Sequence, residues 1–267
     1  HLKIKFKMPL NDRQEEILKL LYQVGAVEVE ELAHQWSVTT QTVRRDLAEI
    51  CDSGLALRTH GGAKRLNTKS VVAYADRRLK HTLAKRCIAE AVSNLIPNGA
   101  SLTLNIGTTT EIVAEALRFH NDLTVISNNI NIVQIMRASR LKNLVLIGGE
   151  VRLADGAVIG EDAIKSISNF KVDFAIIGAS SIELDGSILD FDQREVAVSR
   201  AILENARSKI LVADVSKFNV SAHVKICEAK DLDYIILNAL PPQSFETALQ
   251  AHSTKLVIAE EQNVNSK

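Results

Sequence analysis

Cysteines are few in this sequence of 267 residues, and their placement argues against two kinds of structural cross-link. Cys51, Cys87 and Cys227 are odd in number and far apart, and they form no CxxC pair and have no histidine at metal-ligand spacing. Neither a disulfide framework nor a zinc site is indicated, so no metal or cofactor is expected. A reducing cytoplasm is the expected location.

Long apolar runs are also absent. None approaches the roughly 18 residues needed to span a bilayer, and the start, HLKIKFK, is too short and too charged for a secretory signal. These seven residues, which precede Met8, are expected to be a leader outside the fold. The length and the hydrophobic content of 46% favour an ordinary globular protein of two domains.

Net charge is the third absence, because 32 Lys+Arg balance 32 Asp+Glu. The balance hides an asymmetry: residues 1–86 hold 16 basic and 10 acidic side chains, whereas residues 87–267 hold 16 and 22. From Arg58 to Arg86, nine basic residues accompany one acidic residue, Asp76. Such a segment is typical of a chain near a phosphate backbone, and equally of a solvated linker.

The sequence at the amino end has a pattern that predicts three short helices and a hairpin. Asn11 or Asp12 can cap a first helix that ends at Gly25, and a brief segment at 27–29 leads to a second helix at 30–36. A tight turn with capping hydroxyls at 37–39 precedes the third helix. Two short strands at 55–59 and 63–66 then flank His60-Gly61-Gly62. Together these elements predict a winged helix-turn-helix.

The third helix is two-sided on a 3.6-residue period. Its apolar face comprises Val43, Leu47 and Ile50, and its opposite face Gln41, Arg44, Arg45 and Ala48. Because the apolar face must be buried, the other face can meet DNA phosphates and base edges, although an exposed arginine alone is usually just solvated. The expected DNA contacts are Ser37, Thr39, Thr40, Gln41, Thr42, Arg44 and Arg45, with Arg58, His60 and Lys64 from the wing.

From residue 82 the pattern changes to a helix, a Pro-Asn-Gly turn, and then apolar runs that alternate with helical segments. The runs lie at 101–106, 123–127, 143–147, 172–178, 209–213, 233–237 and 255–259. Their near-continuous apolarity predicts strands covered on both faces, and hence a mostly parallel α/β sheet. Ligands of such sheets bind beyond the carboxyl ends of the strands.

The first of these strands ends in a loop suited to a phosphate. Asn105 and Ile106 lead to Gly107, which allows close approach of the backbone, and Thr108, Thr109 and Thr110 begin a helix whose N-terminus carries N–H groups. The alternative is an ordinary capped helix start. The loop has neither the GK[ST] of a Walker motif nor a GxGxxG dinucleotide fingerprint.

Later strand ends repeat this use of small polar residues and glycines. They are Ser127-Asn128-Asn129, Gly148-Gly149-Glu150, Gly178-Ala179-Ser180-Ser181 and Asp214-Val215-Ser216-Lys217. Lys217 could meet a phosphate or be merely solvated. A polar cluster before another helix could bind polyol hydroxyls or cap that helix; it comprises Asp190, Asp192, Gln193, Arg194 and Glu195.

Taken together, these motifs resemble the DeoR family of bacterial sugar-metabolism repressors over essentially the whole chain from Asn11. The residues that carry the resemblance are TVRRDL at 42–47, RTHGGA at 58–63, NIGTTT at 105–110, SNN at 127–129, GGE at 148–150 and ADVSKF at 213–218. Residues 185–207 look most like the members that control glycerol 3-phosphate regulons.

The family's sensor domain is similar to ribose-5-phosphate isomerase, which implies a phosphorylated metabolite as effector. The resemblance places Gly107, Thr108 and Thr109 on the phosphate loop, Arg194-Glu195 on an Arg-Glu pair, and Lys217 on a terminal lysine. The two catalytic aspartates are replaced by Ile177 and Ser180, and the catalytic lysine-glycine loop has no counterpart at 187–193. An isomerase needs a carboxylate base and an electrophilic partner at one carbon, so binding without turnover is expected.

The sequence thus predicts a winged helix-turn-helix at 8–66, a linker at 67–81 and an α/β sensor domain at 82–267. The expected function is an operator-binding repressor, released by a phosphorylated metabolite of three to six carbons, with glycerol 3-phosphate favoured. A homodimer or homotetramer is expected, because one reading domain binds weakly. The alternatives are an isomerase or hydrolase with an accessory DNA module, and an activator or a sensor of another sugar phosphate.

The expected effector contacts are Asn105, Gly107, Thr108, Thr109, Thr110, Ser127, Asn128, Asn129, Gly148, Gly149, Gly178, Asp190, Glu195 and Lys217.

Overall fold

The computed structural model describes residues 10–53, 55–65 and 69–260. The chain divides into two compact units, with the boundary between Lys80 and His81. The expected leader before Met8 lies outside the described residues. Among those described, no helix has the length and apolar character that crossing a bilayer requires.

The amino-terminal unit contains the predicted helices and hairpin. Its elements are α1 (Asp12–Val24), β1 (Ala26–Glu28), α2 (Val29–Gln35), α3 (Thr40–Asp52), β2 (Ala56–Arg58), β3 (Gly62–Arg65) and α4 (Lys69–Leu79). The sheet has the order β1-β3-β2 and is antiparallel. The wing, which is the β2–β3 hairpin, is therefore anchored to the rest of the unit by the pairing of β3 with β1.

Local signals explain where α1 begins and ends. The side chain of Asn11 accepts from the backbone N–H of Gln14, and the side chain of Gln14 accepts from that of Asn11, which completes a capping box. Gly25 ends the helix with a φ of 88°, a left-handed conformation that glycine adopts without steric cost. Both boundaries agree with the sequence prediction.

The segment expected as a linker at 67–81 contains a helix. Within α4, Tyr74 and Ala75 are buried in the apolar core of the amino-terminal unit, and Leu79 packs against that core. The basic residues around them concealed this apolar face, because they make the segment look solvated by composition.

The carboxyl-terminal unit is built around a seven-stranded sheet. Its first elements are α5 (Thr82–Leu95), β4 (Ser101–Leu104), α6 (Thr108–Leu117), β5 (Leu123–Ser127), α7 (Ile130–Met136), β6 (Leu141–Leu146), β7 (Glu150–Arg152), β8 (Ala157–Ile159), α8 (Glu161–Ile167) and β9 (Val172–Ile177). The remainder are β10 (Ser181–Ile182), β11 (Ser187–Asp190), α9 (Gln193–Glu204), β12 (Ala206–Ala213), a 3-10 helix (Val215–Asn219), β13 (Val224–Glu228), a second 3-10 helix (Ala229–Asp231), β14 (Tyr234–Leu237), α10 (Gln243–Leu249) and β15 (Lys255–Ile258).

Every neighbouring pair of strands in the large sheet is parallel, and the strand order is β15-β14-β12-β9-β4-β5-β6. All seven predicted apolar runs are strands of this sheet. Successive residues of a strand face opposite sides, so Ile210 and Val212 pack with α5, α6 and α7, while Leu211 and Ala213 pack with α8, α9 and α10. The sheet is therefore covered on both faces, as its apolarity predicted.

The strand order reverses between β4 and β9. From β4 the chain proceeds through β5 to β6 in one direction, whereas β9, β12, β14 and β15 follow in the other. The carboxyl ends of β4 and β9 thus flank the topological switch point, which is where open α/β sheets bind ligands.

Two smaller β structures were not predicted. β7 and β8 form an antiparallel hairpin, and β10, β11 and β13 form a separate three-stranded antiparallel sheet. Their strands have two to five residues, too few for a periodic pattern to stand out.

Candidate functional site

In the amino-terminal unit, α3 has the two faces that its sequence predicted. Val43, Leu47 and Ile50 are buried, whereas Gln41, Arg44 and Arg45 are exposed. The other expected DNA contacts also lie at or near the surface: Ser37, Thr39, Thr40, Arg58, His60 and Lys64 are exposed, and Thr42 is half-buried. The hydroxyl of Thr39 accepts from the backbone N–H of Thr42 at 3.2 Å and so caps α3.

Basic groups from α3 and the wing converge. A cleft of about 200 Å³ is lined by Arg44 of α3 and by Arg58 and His60 of the wing, together with Glu28, Val29, Glu30, Leu47, Thr59, Gly61 and Gly62. This arrangement brings together guanidinium groups that are 14 positions apart in the sequence, and such groups contact phosphates and guanine edges.

Gly62 fixes the wing by close approach. A Cβ at this position would lie 1.9 Å from the carbonyl oxygen of Val27 in β1, whereas a Cβ at Gly61 would meet nothing within 4 Å. The backbone of β3 can therefore pair with β1 only because residue 62 has no side chain.

In the carboxyl-terminal unit, the polar loop after β4 turns directly into α6. Gly107 occupies the N-cap position with a φ of 153°, and no side chain caps the helix. The hydroxyl of Thr110 lies 2.9 Å from the carbonyl oxygen of Asn105 and 2.8 Å from that of Gly107, so it holds the turn together. The N–H groups of the first turn have no acceptor within the helix, a feature that suits an anion.

Asn105 joins both sides of the switch point. Its side-chain oxygen accepts from the backbone N–H of Gly178 after β9 at 3.0 Å, and its amide donates to the hydroxyl of Ser199 in α9 at 3.2 Å. Asn105 is 1% exposed. The structure thus brings together the predicted residues Asn105, Gly107 and Gly178, and it adds α9 as a third wall.

The predicted residues after β5 support neighbouring loops. The hydroxyl of Ser127 donates to the carbonyl of Leu104 at 2.8 Å, and the amide of Asn128 donates to the carbonyl of Val158 in β8 at 3.1 Å. The amide of Asn129 donates to Glu111 in α6 at 3.1 Å. These side chains hold the loop after β5 to the sheet, to the hairpin and to α6.

The Gly148-Gly149 pair also serves packing. Gly149 has a φ of 150°, and a Cβ there would lie 3.1 Å from both the carbonyl oxygen of Ile159 and Cγ1 of Val158. Because residue 149 has no side chain, the chain that enters β7 can lie close to the end of β8. Lys217 lies in the 3-10 helix after β12, where its backbone N–H donates to the carbonyl of Asp214 at 3.1 Å.

Two predicted carboxylates flank the switch point. Asp190, which is 7% exposed, accepts from the hydroxyl of Ser180 in the loop after β9 at 3.0 Å. Glu195 lies one helical turn before Ser199, so the two share a face of α9. Since Ser199 contacts Asn105, the Glu195 side chain lies on the side of α9 that faces the ends of the strands.

Burial and the charge of Asp190 raise the pKa of Glu195 to about 7, against the opposing influence of the Arg152 guanidinium. Near neutral pH this carboxyl group exists in both protonation states. It can therefore either accept or donate a hydrogen bond.

Arg152, which the sequence analysis missed, is at the centre of an ionic cluster with Asp155, Asp192 and Glu195. Burial lowers the pKa of its guanidinium, but hydrogen bonds and the charges of Asp155 and Glu195 more than offset this, so the net pKa is raised. The one available signal was Asp155 three residues after Arg152, followed by Gly156, a spacing typical of a turn with an ion pair.

Ile177 and Ser180, which stand where the isomerase pattern has its two aspartates, have other roles in this structure. Ile177 is fully buried in the core on the α9 side of the sheet, and Ser180 holds Asp190. Among the described residues, no group of three or more histidine, cysteine, aspartate or glutamate side chains is placed to hold a metal ion.

A winged helix-turn-helix joined to a parallel α/β unit with a strand-end site defines a DNA-binding regulator with a sensor domain. The profile of the DeoR-like helix-turn-helix domain matches residues 13–69, and that of the DeoR C terminal sensor domain matches residues 80–239. The chain belongs to the DeoR family.

Two relatives extend this match over nearly the whole chain. The glycerol-3-phosphate regulon repressor of Haemophilus influenzae is 42% identical over 246 residues, which cover 92% of this chain and 96% of the relative. That of Escherichia coli is 41% identical over 249 residues, which cover 93% and 99%. Both relatives are named as repressors rather than as enzymes.

Among solved structures, a ribose-5-phosphate isomerase in complex with phospho-erythronic acid aligns with a TM-score of 0.38. It is 13% identical, and the alignment covers 50% of this chain and 52% of that chain. The similarity is distant.

Proposed function

We propose that this protein is a transcriptional repressor that binds operator DNA through α3 and the wing. The observation that carries the DNA-binding half is the convergence of Arg44, Arg58 and His60 on one cleft beside a helix whose opposite face is fully packed. In this proposal Gln41 and Arg44 read base edges and the wing residues contact phosphates, and the exposure of these side chains supports it.

The proposed effector is a phosphorylated metabolite, glycerol 3-phosphate first among the candidates. In this proposal the phosphate lies at the N-terminus of α6 beside Gly107, and the hydroxyl groups lie toward Asp190 and Glu195. The regulon named in the two relatives supports this choice of ester. The absence of aspartates at positions 177 and 180 supports binding without isomerisation.

Release from DNA requires a difference in affinity. The effector shifts the equilibrium only if it binds the DNA-free arrangement more tightly than the operator-bound one. We also propose a homodimer or homotetramer, because a single winged helix contacts too little DNA for specific binding. Light scattering on the eluted peak of a sizing column tests the oligomeric state.

An electrophoretic mobility shift titration tests the function directly. The full chain is bound to a duplex selected from randomised DNA, and glycerol 3-phosphate is then titrated, with glycerol and inorganic phosphate as controls. Release by the ester but by neither control is the expected result. Retention of DNA at saturating ester would overturn the choice of effector, and failure to select any duplex would overturn the DNA-binding role.

A further inference from the structure

The guanidinium of Arg152 makes four hydrogen bonds to three carboxylates from two parts of the chain. Two go to Asp155 in its own hairpin turn, at 2.9 and 2.7 Å, one to Asp192 at 2.9 Å and one to Glu195 at 2.7 Å. Asp192 caps α9, and Glu195 lies in the first turn of α9. One side chain therefore ties the β7–β8 hairpin to the start of α9.

The same hairpin is tied to α6. The amide of Asn131 donates to the backbone carbonyl of Asp155 at 3.0 Å and to the carboxylate of Glu111 at 3.0 Å. Glu111 is buried in the first turn of α6, directly after the three threonines. The hairpin turn thus bridges the helix that would receive the phosphate and the helix that carries Glu195.

We propose that Arg152 is a positioning residue for effector binding. It holds the carboxylate of Glu195 at a fixed place relative to the N-terminus of α6, so that a short phosphorylated polyol can reach both. This inference rests on the proposed function. Arg152 acts through Glu195, because all the hydrogen bonds described for its guanidinium go to carboxylates of the protein. A planar guanidinium that binds several carboxylates at once sets their directions as well as their charge, which lysine cannot do equally well.

The charges around Glu195 give this role a signature that a purely structural role would lack. Arg152 and Asp155 face Glu195 from the hairpin, Asp190 faces it from β11, and Asp192 and Arg194 lie on its own helix start. Burial and Asp190 raise the pKa of Glu195, and Arg152 opposes them. Loss of the guanidinium charge is therefore expected to raise that pKa above its value of about 7.

The test measures affinity of the full chain for glycerol 3-phosphate by calorimetry between about pH 6 and about pH 9, on either side of this titration. The variants are Arg152→Gln, Arg152→Lys and Glu195→Gln. Arg207→Gln is the matched control, because Arg207 is an exposed arginine that pairs with Asp173 at 3.2 Å at the amino ends of β12 and β9. The ester's own second ionisation, near pH 6, contributes equally to all variants.

Wild-type affinity is expected to rise with pH as Glu195 ionises, because the carboxylate then accepts from the effector's hydroxyl groups. The affinity of Glu195→Gln should vary with pH only through the ionisation of the ester itself. Arg152→Gln should bind the ester about tenfold or more weakly than the wild type at neutral pH. The inflection in its plot of affinity against pH should lie at a higher pH. Arg152→Lys should keep an inflection close to that of the wild type with intermediate affinity, and Arg207→Gln should match the wild type in both.

Wild-type affinity and an unmoved inflection in a folded Arg152→Gln protein would overturn the inference. If Arg152→Gln does not fold, Arg152→Lys provides the test. Wild-type affinity in the lysine variant would contradict the inference, because lysine lacks the geometry of the guanidinium. A wild-type protein that binds no ester at any pH overturns the proposed function instead, and the two failures are thereby distinguished.

Discussion

Arg13 of α1 and Asp46 of α3 form an ion pair in which Nε of Arg13 lies 2.6 Å from Oδ2 of Asp46. The carboxylate is 5% exposed, and its other oxygen accepts from the amide of Gln14 at 3.2 Å. The helix that is expected to enter the major groove is thus fixed to the first helix by Asp46, a buried acidic residue that lies next to the exposed arginines in the sequence.

Replacement of Asp46 by alanine is expected to destabilise the amino-terminal unit by about 1–3 kcal/mol, because the buried amide of Gln14 and the guanidinium of Arg13 each lose an acceptor. Urea unfolding followed by circular dichroism measures the change. The control is Lys19→Ala, which breaks an exposed pair with Glu16 and should cost less than about 0.5 kcal/mol. Equal effects of the two substitutions would contradict the structural role of Asp46.

The two wing glycines are expected to differ sharply. Gly62→Ala places a methyl group against the carbonyl of Val27, so β3 must move away from β1, at a cost of about 1–3 kcal/mol. Operator affinity should fall with it. Gly61→Ala meets open space and should leave thermal stability nearly unchanged. Tolerance of alanine at position 62 would argue against the anchoring of the wing.

Removal of both exposed arginines of α3, Arg44→Ala with Arg45→Ala, is expected to weaken operator binding by about tenfold or more. If both contact phosphates, the slope of log affinity against log salt concentration should become shallower by about 2. Fluorescence anisotropy over a salt series measures both quantities. Lys165→Ala with Arg207→Ala removes the same charge from the carboxyl-terminal unit and should change neither; unaltered binding by the α3 double variant would refute its role.

Glu195 is expected to make stability depend on pH. Its pKa is raised in the folded protein from an ordinary 4.5 to about 7, so its contribution is fully present below about pH 4.5 and is lost as pH rises through about 7. The side chain is 14% exposed, and the loss amounts to up to about 3 kcal/mol. Thermal melts across this range should show a decline that Glu195→Gln removes. Glu161→Gln, on a side chain that is 90% exposed, should leave the decline in place.

Periodicity and helix signals predicted most of the fold. The five inner strands of the large sheet, β4, β5, β9, β12 and β14, were recognisable because most of their residues are buried, so each is a nearly continuous apolar run. The edge strands β6 and β15 are more exposed, but their runs are apolar too. The boundaries of α1 followed from Asn11 and Gly25, whose local chemistry determines where a helix begins and ends. The two faces of α3 followed from its spacing, because that helix packs on one side alone.

The parts that were missed depend on contacts between distant residues. Arg152 contacts Asp192 and Glu195, which lie about 40 positions away in the chain. No residue near Arg152 in the sequence indicates that contact. The threonines and asparagines of the strand ends were recognised as a group, but the separate role of each residue was not predicted. Thr110 and Asn129 remain predicted effector contacts, and the structure adds that their side chains hold the loop after β4 and the loop after β5.

The burial of Tyr74 by the amino-terminal core bears on how this protein should be divided for experiments. A fragment cut after the wing would strip an aromatic ring from that core and expose apolar side chains of α1 and its neighbours to water. A fragment that runs through Lys80 keeps the hydrophobic interior intact. Crystallisation trials with short duplexes are therefore best begun with the longer piece.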